Sequence, residues 1–219
     1  MTMRILVCSC DNNADLFEPF HHCLEKYWPE HPPVTYSTET AVNPFYDTVC
    51  RDYPLNQWSR RIRETLAEMD DRAVLLMVDD VFIRKPADLF RIREAENYLT
   101  GNIACLNFEL AFDATESIGG GWGLRRKGAI WSVSIMCGLW DREKLMDILS
   151  EDMTPWEVES RQPTKGYDFA INTGDYILDW GYRNGRWFGI HGGRWAKECI
   201  PFFVYEGLDI DFGKRGINP

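Results

Sequence analysis

The run from Val74 to Val78 constrains the fold most, because five consecutive apolar residues end at two adjacent carboxylates, Asp79 and Asp80. A run without polar alternation is typical of a strand covered on both faces, as in the parallel sheet of an α/β protein. Ligands of open α/β sheets bind outside the carboxyl ends of the strands. Carboxylate oxygens at that edge suit Mg²⁺ or Mn²⁺ shared with phosphates, so both residues are predicted metal ligands. In the alternative interpretation, Asp80 caps a turn and Asp79 is solvated.

Strand and helix patterns alternate on both sides of this run. Helical spacing of apolar residues predicts helices over residues 15–27, with Asp15 as the N-cap, and over residues 56–69. Pro86 suits the first turn of a third helix. Further strands are predicted at residues 4–9, 34–37 and 103–106. This order predicts a three-layer α/β/α, Rossmann-type domain with a mixed, mainly parallel sheet.

The second half of the chain differs in composition. The segment from Gly119 to Gly123 is rich in glycine, and we expect a mobile loop there that closes over a ligand. Residues 132–139 are predicted to be extended, and Asp141 to cap a helix. We therefore expect one domain over residues 1–219, with a nucleotide-binding half at 1–110 and an acceptor-side half at 111–219.

Charge and composition exclude some classes of function. The formal net charge of −10 argues against a sequence-independent grip on nucleic acid, which needs a basic face. The net charge does not exclude a local basic pocket, because arginines cluster at residues 60–63 and cations at residues 125–127. No apolar stretch approaches the roughly 20 residues of a membrane span. The start of the chain leads directly into a predicted strand without a signal peptide, so we expect a cytoplasmic protein.

The segment from Thr154 to Glu159 offers candidate general bases. A carboxylate beside Trp156 lies near a surface of low polarity, which raises its pKa toward the range useful for proton abstraction. Glu157 and Glu159 are therefore predicted catalytic residues. Thr154 and Glu157 also fit a capping box, an alternative that leaves Glu159 unexplained.

The order of these motifs resembles a known family. A strand ending in VDD, then S-x-x-x-G-L-W before a helix, then PWEVE is similar to small nucleotide-sugar glycosyltransferases of the GT-A type, found in bacterial surface-polysaccharide clusters and phage-like genomes. The resemblance extends from Arg4 to about Glu159. The carboxylates at 79 and 80 depart from a strict D-x-D, so their metal role is inferred from position.

The resemblance implies further site residues. Ser134 and Trp140 would line the sugar or acceptor pocket, and Trp156 would lie beside the acceptor-side carboxylate. By the same analogy, His191 would bind the metal and Arg194 the diphosphate.

The implied reaction is transfer of a sugar from a nucleotide-sugar donor to an acceptor hydroxyl, assisted by Mn²⁺ or Mg²⁺, with inversion. The base would stack near the end of the first strand, and the arginine-bearing segment 58–63 would hold phosphates. The donor-site candidates are Cys8, Ser9, Asp11, Trp58 and Arg61.

Other functions compete with this interpretation. A haloacid-type phosphatase needs two aspartates at D-x-D spacing, whereas Asp79 and Asp80 are adjacent. A sugar nucleotidyltransferase would carry a glycine-rich phosphate loop and a basic residue after the first strand, and residues 8–13 contain neither. A non-enzymatic carbohydrate-binding or phage structural module would account for the tryptophans but not for the carboxylates at the strand end. Two classes of acceptor fit the predicted transfer: a glycan, or a hydroxymethylated base of phage DNA.

Overall fold

The computed structural model describes residues 3–110, 114–181 and 188–218, and the chain forms two compact units. The first unit comprises Met1–Asp11, Pro32–Val78 and Asp88–Ile177. The second comprises Asn12–His31, Asp79–Ala87 and Leu178–Pro219. Each unit is discontinuous in sequence, so the units do not coincide with the predicted halves 1–110 and 111–219. The expectation of a single domain stays a prediction.

The first unit is built on a mixed sheet of nine described strands in the order β3-β2-β1-β4-β8-β5-β9-β7-β6. Among these, β7 and β8 run antiparallel to the other seven. The predicted α/β class with a mixed, mainly parallel sheet is confirmed. The strands are β1 (Met3–Cys8), β2 (Val34–Thr38), β3 (Asp47–Cys50), β4 (Ala73–Val78), β5 (Ile103–Leu110), β6 (Ala114–Gly119), β7 (Trp122–Arg125), β8 (Gly138–Asp141) and β9 (Asp168–Asn172).

The helices of the described ranges are short, and none of them has both the length and the apolarity needed to cross a bilayer. Asp141 accepts a hydrogen bond from the Lys144 N–H, as predicted for a helix N-cap. The helices are α1 (Phe17–Tyr27), α2 (Trp58–Ala67), α3 (Leu89–Tyr98), α4 (Arg142–Ile148), α5 (Pro155–Arg161) and α6 (Cys199–Glu206).

Both faces of the central strands β1 and β4 are buried. On one face, Leu6 and Leu76 belong to a core that includes residues of α2, α4 and α5. On the other face, Ile5 and Leu75 are also 0% exposed. The uninterrupted apolar run of β4 therefore reflects burial on both sides, as its sequence predicts.

Three predicted local features differ in the structure. The glycine segment forms the turn of the β6–β7 hairpin, and the Arg91 guanidinium donates to the carbonyls of Gly120 and Gly121, both at 3.1 Å, so it is an anchored turn. The extended segment begins only at Gly138, because the chain bends repeatedly between residues 132 and 137. Asp15 does not cap α1, because its carboxylate accepts two hydrogen bonds from Arg215, at 2.8 and 2.6 Å.

The second unit has an aromatic core. Trp195 stacks on Phe82 with ring centroids 5.7 Å apart, and the Phe203 ring of α6 packs edge-on against both. Two short strands, β10 (Ile190–His191) and β11 (Arg194–Trp195), form an antiparallel hairpin beside this core. A bridge between Val81 and Gly189 joins the segment after β4 to this part of the chain.

A buried carboxylate connects α1 and α6 in the second unit. Glu206, with a side chain 1% exposed, accepts hydrogen bonds from His22 Nε2 (2.8 Å), Lys26 Nζ (2.6 Å) and Tyr27 Oη (2.8 Å). Burial opposes the charge, but these three donors outweigh burial and lower the pKa of Glu206 from 4.5 to about 2. The ionised form is therefore favoured in the folded state.

This depressed pKa predicts how stability depends on pH. Because the folded pKa lies below the unfolded one, the contribution is present above pH 4.5 and lost as pH falls toward 2. The loss should reach up to about 3 kcal/mol of unfolding free energy. Urea unfolding between pH 6 and 2 should show a steeper fall for the parent than for Glu206→Gln. Parallel curves would contradict the assignment.

Candidate functional site

Ser9, Asp11 and Arg61, three of the predicted donor-site residues, are joined through Glu39. The Arg61 guanidinium donates through Nη2 to the Ser9 carbonyl at 2.6 Å and through Nη1 to Glu39. The Asp11 N–H donates to Glu39 Oε2 at 2.7 Å, and the Asp11 carboxylate accepts from the Thr40 N–H at 2.9 Å. The network lies beyond the carboxyl ends of β1 and β2, which pair in parallel. Sequence analysis did not identify Glu39, because its partners Asp11 and Arg61 are distant in sequence and no short motif links them.

Four of the predicted donor-site residues are buried: Cys8, Ser9, Trp58 and Arg61. Arg61 is 2% exposed and neutralised by Glu39, so it orders the loops after β1 and β2 rather than presenting a free fork to phosphate. Cys8 and Trp58, each 6% exposed, belong to the core on one face of the sheet. Their apolar contacts explain the helical and strand periodicity that marked these segments.

The two carboxylates after β4 have different environments. Asp79 is 0% exposed and accepts a hydrogen bond from Asn13 Nδ2 at 2.8 Å, whereas Asp80 is partly exposed. The Asp80 carbonyl accepts from the Ile190 N–H at 2.8 Å. An ideal Cβ at Gly189 would lie 1.9 Å from the Asp80 carbonyl oxygen, so this close approach requires glycine. The backbone around the pair is therefore tightly constrained.

His191 and Arg194 lie on the β10–β11 hairpin, whose turn residues Gly192 and Gly193 have φ values of 55° and 78°. Arg194 is exposed, and the His191 carbonyl accepts from Asn218 Nδ2 at 2.9 Å. No group of three His, Cys, Asp or Glu side chains lies close enough to hold a metal within residues 3–110, 114–181 and 188–218. The predicted three-ligand set Asp79, Asp80 and His191 is thus not assembled. One or two carboxylates with substrate phosphates and water are nevertheless sufficient for Mg²⁺, so the partly exposed Asp80 fits such an ion.

Glu157 has a local structural role. Its carboxylate accepts from the Thr154 N–H at 2.9 Å, and Thr154 Oγ1 accepts from the Glu157 N–H at 3.1 Å, which completes the capping box of α5. Hydrogen bonds from Thr154 and the charge of Arg161 lower the pKa of Glu157. A carboxylate stabilised in its ionised form is a weak base, so this arrangement disfavours Glu157 as the proton acceptor.

Glu159 has the opposite electrostatic environment. Burial raises the pKa of Glu159, and hydrogen bonds from the Ile135 N–H (3.0 Å) and from Ser134 Oγ (3.4 Å) oppose the increase only in part. The structure therefore brings together two predicted site residues, Ser134 and Glu159. Ser134 itself is 5% exposed, so it contacts the carboxylate rather than open solvent.

Glu109 on β5 is a second carboxylate in this region, and sequence analysis missed it. Its Oε1 atom is buried and has no hydrogen-bond partner among the residues that the structure describes. Burial raises the pKa of Glu109 to about 7, the neighbouring charge of Glu159 adds to the increase, and Arg125 opposes it. Both carboxylates therefore have raised pKa values, and burial is the main cause for each. The sequence signal is weaker than the one before Asp79, because Asn107 interrupts the apolar stretch before Glu109.

The tryptophans separate into core and surface groups. Trp140 is 0% exposed and packs edge-on against Phe169, with centroids 6.1 Å apart. Its predicted role in lining a pocket needs correction, because β8 lies between β4 and β5 and its side chains are buried. Trp156 is 66% exposed on α5.

No family model matches this chain, and no curated protein matches it either. Solved structures do match. S. aureus TarS 1-349 in complex with UDP-GlcNAc has a TM-score of 0.56 at 11% identity, with 85% of this chain and 60% of that chain covered. CMP:2-keto-3-deoxy-manno-octonic acid synthetase complexed with CTP has a TM-score of 0.54 at 11% identity, with coverages of 95% and 100%.

A cytidylyltransferase from Leptospira borgpetersenii has a TM-score of 0.51 at 14% identity, with 87% of this chain and 81% of that chain covered. The chain spans 52% of the bifunctional IspDF from Campylobacter jejuni and 60% of TarS 1-349. At these identities the likeness concerns the fold. This chain has the α/β fold of those nucleotide-bound and nucleotide-sugar-bound proteins.

Proposed function

We propose that this protein is a glycosyltransferase that moves a sugar from a nucleotide-sugar donor to an acceptor hydroxyl. The observation that carries the proposal is the fold shared with a protein solved in complex with UDP-GlcNAc. The carboxylates at residues 79–80 follow the carboxyl end of β4, and β4 pairs in parallel with β1. Ligands of open α/β sheets bind outside such strand ends. The acceptor is a glycan or another hydroxyl compound, with a hydroxymethylated DNA base as a further candidate.

The donor nucleotide would bind at the carboxyl ends of β1 and β2, where Arg61 and Glu39 order the loop that carries Ser9 and Asp11. Asp80 would hold Mg²⁺ or Mn²⁺, and the exposed Arg194 stays a predicted diphosphate ligand. When bound, the ion offsets the charge that develops on the departing diphosphate.

The Glu159 carboxylate would remove the proton of the acceptor hydroxyl. The acceptor oxygen forms its bond to the anomeric carbon as the bond to the nucleoside diphosphate breaks, so an in-line displacement inverts the configuration. Burial raises the pKa of Glu159, which makes it a stronger base than Glu157. Glu109 would buffer the proton beside it, because the same burial brings the pKa of Glu109 to about 7.

A nucleotidyltransferase is the second candidate, favoured by the full coverage of a synthetase complexed with CTP. Its chemistry needs the triphosphate to be held after the first strand. In this chain the segment from Cys8 to Leu16 contains no glycine and no basic residue, and its last six residues form a 3₁₀ helix. The glycosyltransferase assignment therefore agrees better with the first loop.

Titration calorimetry with UDP-, GDP- and dTDP-sugars and with CTP, each with and without Mn²⁺, tests the proposal. We expect one nucleotide sugar to bind in a metal-dependent manner and to release its nucleoside diphosphate when acceptor is added. Tight binding of CTP with release of pyrophosphate would assign the chain to the nucleotidyltransferases instead. Binding of glycan without any nucleotide would indicate the non-enzymatic carbohydrate-binding module.

A further inference from the structure

A basic cavity of about 50 Å³ lies in the first unit, and one of its lining cations, Arg125, also acts electrostatically on Glu109. Three consecutive cations, Arg125, Arg126 and Lys127, line it on one side, and Tyr167 and Phe169 line it on another. A water needs roughly 10–15 Å³ of such volume, so there is room for a small polyatomic ion. The function proposed above does not use this cavity.

Two tight turns form the walls of the cavity. In the first, the Ala129 N–H donates to the Arg126 carbonyl at 3.0 Å. In the second, the Tyr167 N–H donates to the Thr164 carbonyl at 2.9 Å, and Lys165 adopts a φ of 52°. The walls are thus fixed by their own backbone hydrogen bonds, which favours a site that exists before a ligand arrives.

The Gln162 side chain connects the segment after the first turn to the segment before the second turn. Gln162 Oε1 accepts from the Val133 N–H at 2.8 Å, and Gln162 Nε2 donates to the Val133 carbonyl at 3.0 Å. Within the described residues, the non-glycine residues with positive φ are Trp131, Gln162 and Lys165, all in these two segments. Strained backbone of this kind clusters at ligand-binding sites.

The charge of the cavity favours an anion. The described lining residues include three cations and one carboxylate, Asp168, which lies 3.4 Å from Lys127 Nζ, while Arg125 also acts on Glu109 beyond the lining. This local excess of positive charge stands out in a chain of net charge −10. The exposed Arg126 and Lys127 and the backbone turns offer several N–H donors, the groups that bind phosphate oxygens.

The cavity lies at the amino-terminal end of the parallel strands. The donor is assigned to the opposite, carboxyl-terminal end. Strand pairing places Phe169 level with Cys105, Trp140 and Val74, near the amino-terminal end of β4. Val78 is four residues further along β4, a distance of roughly 13 Å. The cavity is therefore separate from the edge at which the donor diphosphate would bind.

We propose that this cavity is a second anion site, which binds a phosphate group that does not belong to the nucleotide donor. Its source is either a phosphodiester within the acceptor or a terminal phosphate of a small molecule. Both present tetrahedral oxygens to the same cations. The site does not depend on glycosyl transfer, so it can be tested in the protein alone.

Titration calorimetry with inorganic phosphate tests the site, using the double variant Arg126→Ala/Lys127→Ala. Both side chains are exposed, so the fold should persist. We expect saturable binding by the parent and binding weaker by about tenfold or more in the variant, because charge-assisted hydrogen bonds are lost. The matched control, Arg93→Ala/Lys197→Ala, removes two exposed cations elsewhere and should bind phosphate like the parent.

Two further ligands distinguish the sources and the sites. Tighter binding of dimethyl phosphate than of methyl phosphate identifies a diester ligand, and the reverse order identifies a terminal phosphate. UDP should leave phosphate binding unchanged. Equal phosphate binding by parent and variant, absence of saturable binding by the parent, or displacement of phosphate by UDP would each overturn the proposal. Nucleotide-sugar turnover is measured separately, so loss of the proposed transferase activity would leave this result standing.

Discussion

An Asp80→Asn variant is expected to lose metal-dependent turnover of the nucleotide sugar by about a thousandfold or more, while its thermal unfolding stays close to that of the parent. The substitution keeps the size of the side chain but removes the charge that would bind the cation. The loss of transition-state stabilisation at the departing diphosphate accounts for an effect of several kcal/mol. Release of nucleoside diphosphate against Mn²⁺ concentration is the measurement.

Asp209→Asn is the matched control, because Asp209 is an exposed carboxylate of the same unit. It should retain the activity and metal response of the parent. Calorimetry provides a second readout: Mn²⁺ should strengthen nucleotide binding by the parent and by Asp209→Asn, but not by Asp80→Asn. Full activity of Asp80→Asn at saturating donor would rule out the metal assignment.

Glu159→Gln should reduce kcat by about a hundredfold to ten-thousandfold, the range expected when a general base is removed. The pKa of Glu159 is raised by burial, so the parent should lose activity as pH falls and this group protonates. That acidic limb of the pH–rate profile should be absent in the variant. The glutamine oxygen can still accept the Ile135 N–H bond, so the loop beside α5 should remain in place.

Glu157→Gln provides a control two positions away on the same helix. It replaces the carboxylate of the capping box by an amide that fits the same motif, so we expect at most a small loss of stability, with kcat within a few-fold of the parent. An independent check is the pKa of Glu109 by ¹³C NMR, which should fall in Glu159→Gln because the neighbouring negative charge is gone. A larger loss of kcat in Glu157→Gln than in Glu159→Gln would contradict the assignment of the base.

The sequence predicted the features that depend on short-range patterns. The apolar run from Val74 to Val78 identified a strand buried on both faces, and the spacing of Thr154 and Glu157 identified a capping box. Both signals arise within one element, where periodicity and backbone hydrogen bonding decide the outcome.

The features that sequence analysis missed depend on distant partners. Arg61 is buried because Glu39, 22 positions away, neutralises it. Trp140 is buried because β8 pairs between β4 and β5, two strands that lie much earlier in the chain. The raised pKa of Glu109 requires Glu159 beside it, 50 positions later in the chain. Periodicity carries no information about such pairings.

The position of β8 has a consequence for how the chain is synthesised. On the ribosome, β4 and β5 emerge long before β8, yet β8 separates them and pairs with both. Until residues 138–141 leave the exit tunnel, one edge of each strand lacks its final neighbour and is open to mispairing. A fragment truncated at residue 110 should therefore aggregate, and nascent-chain pulse proteolysis should show protection only after β8 has emerged.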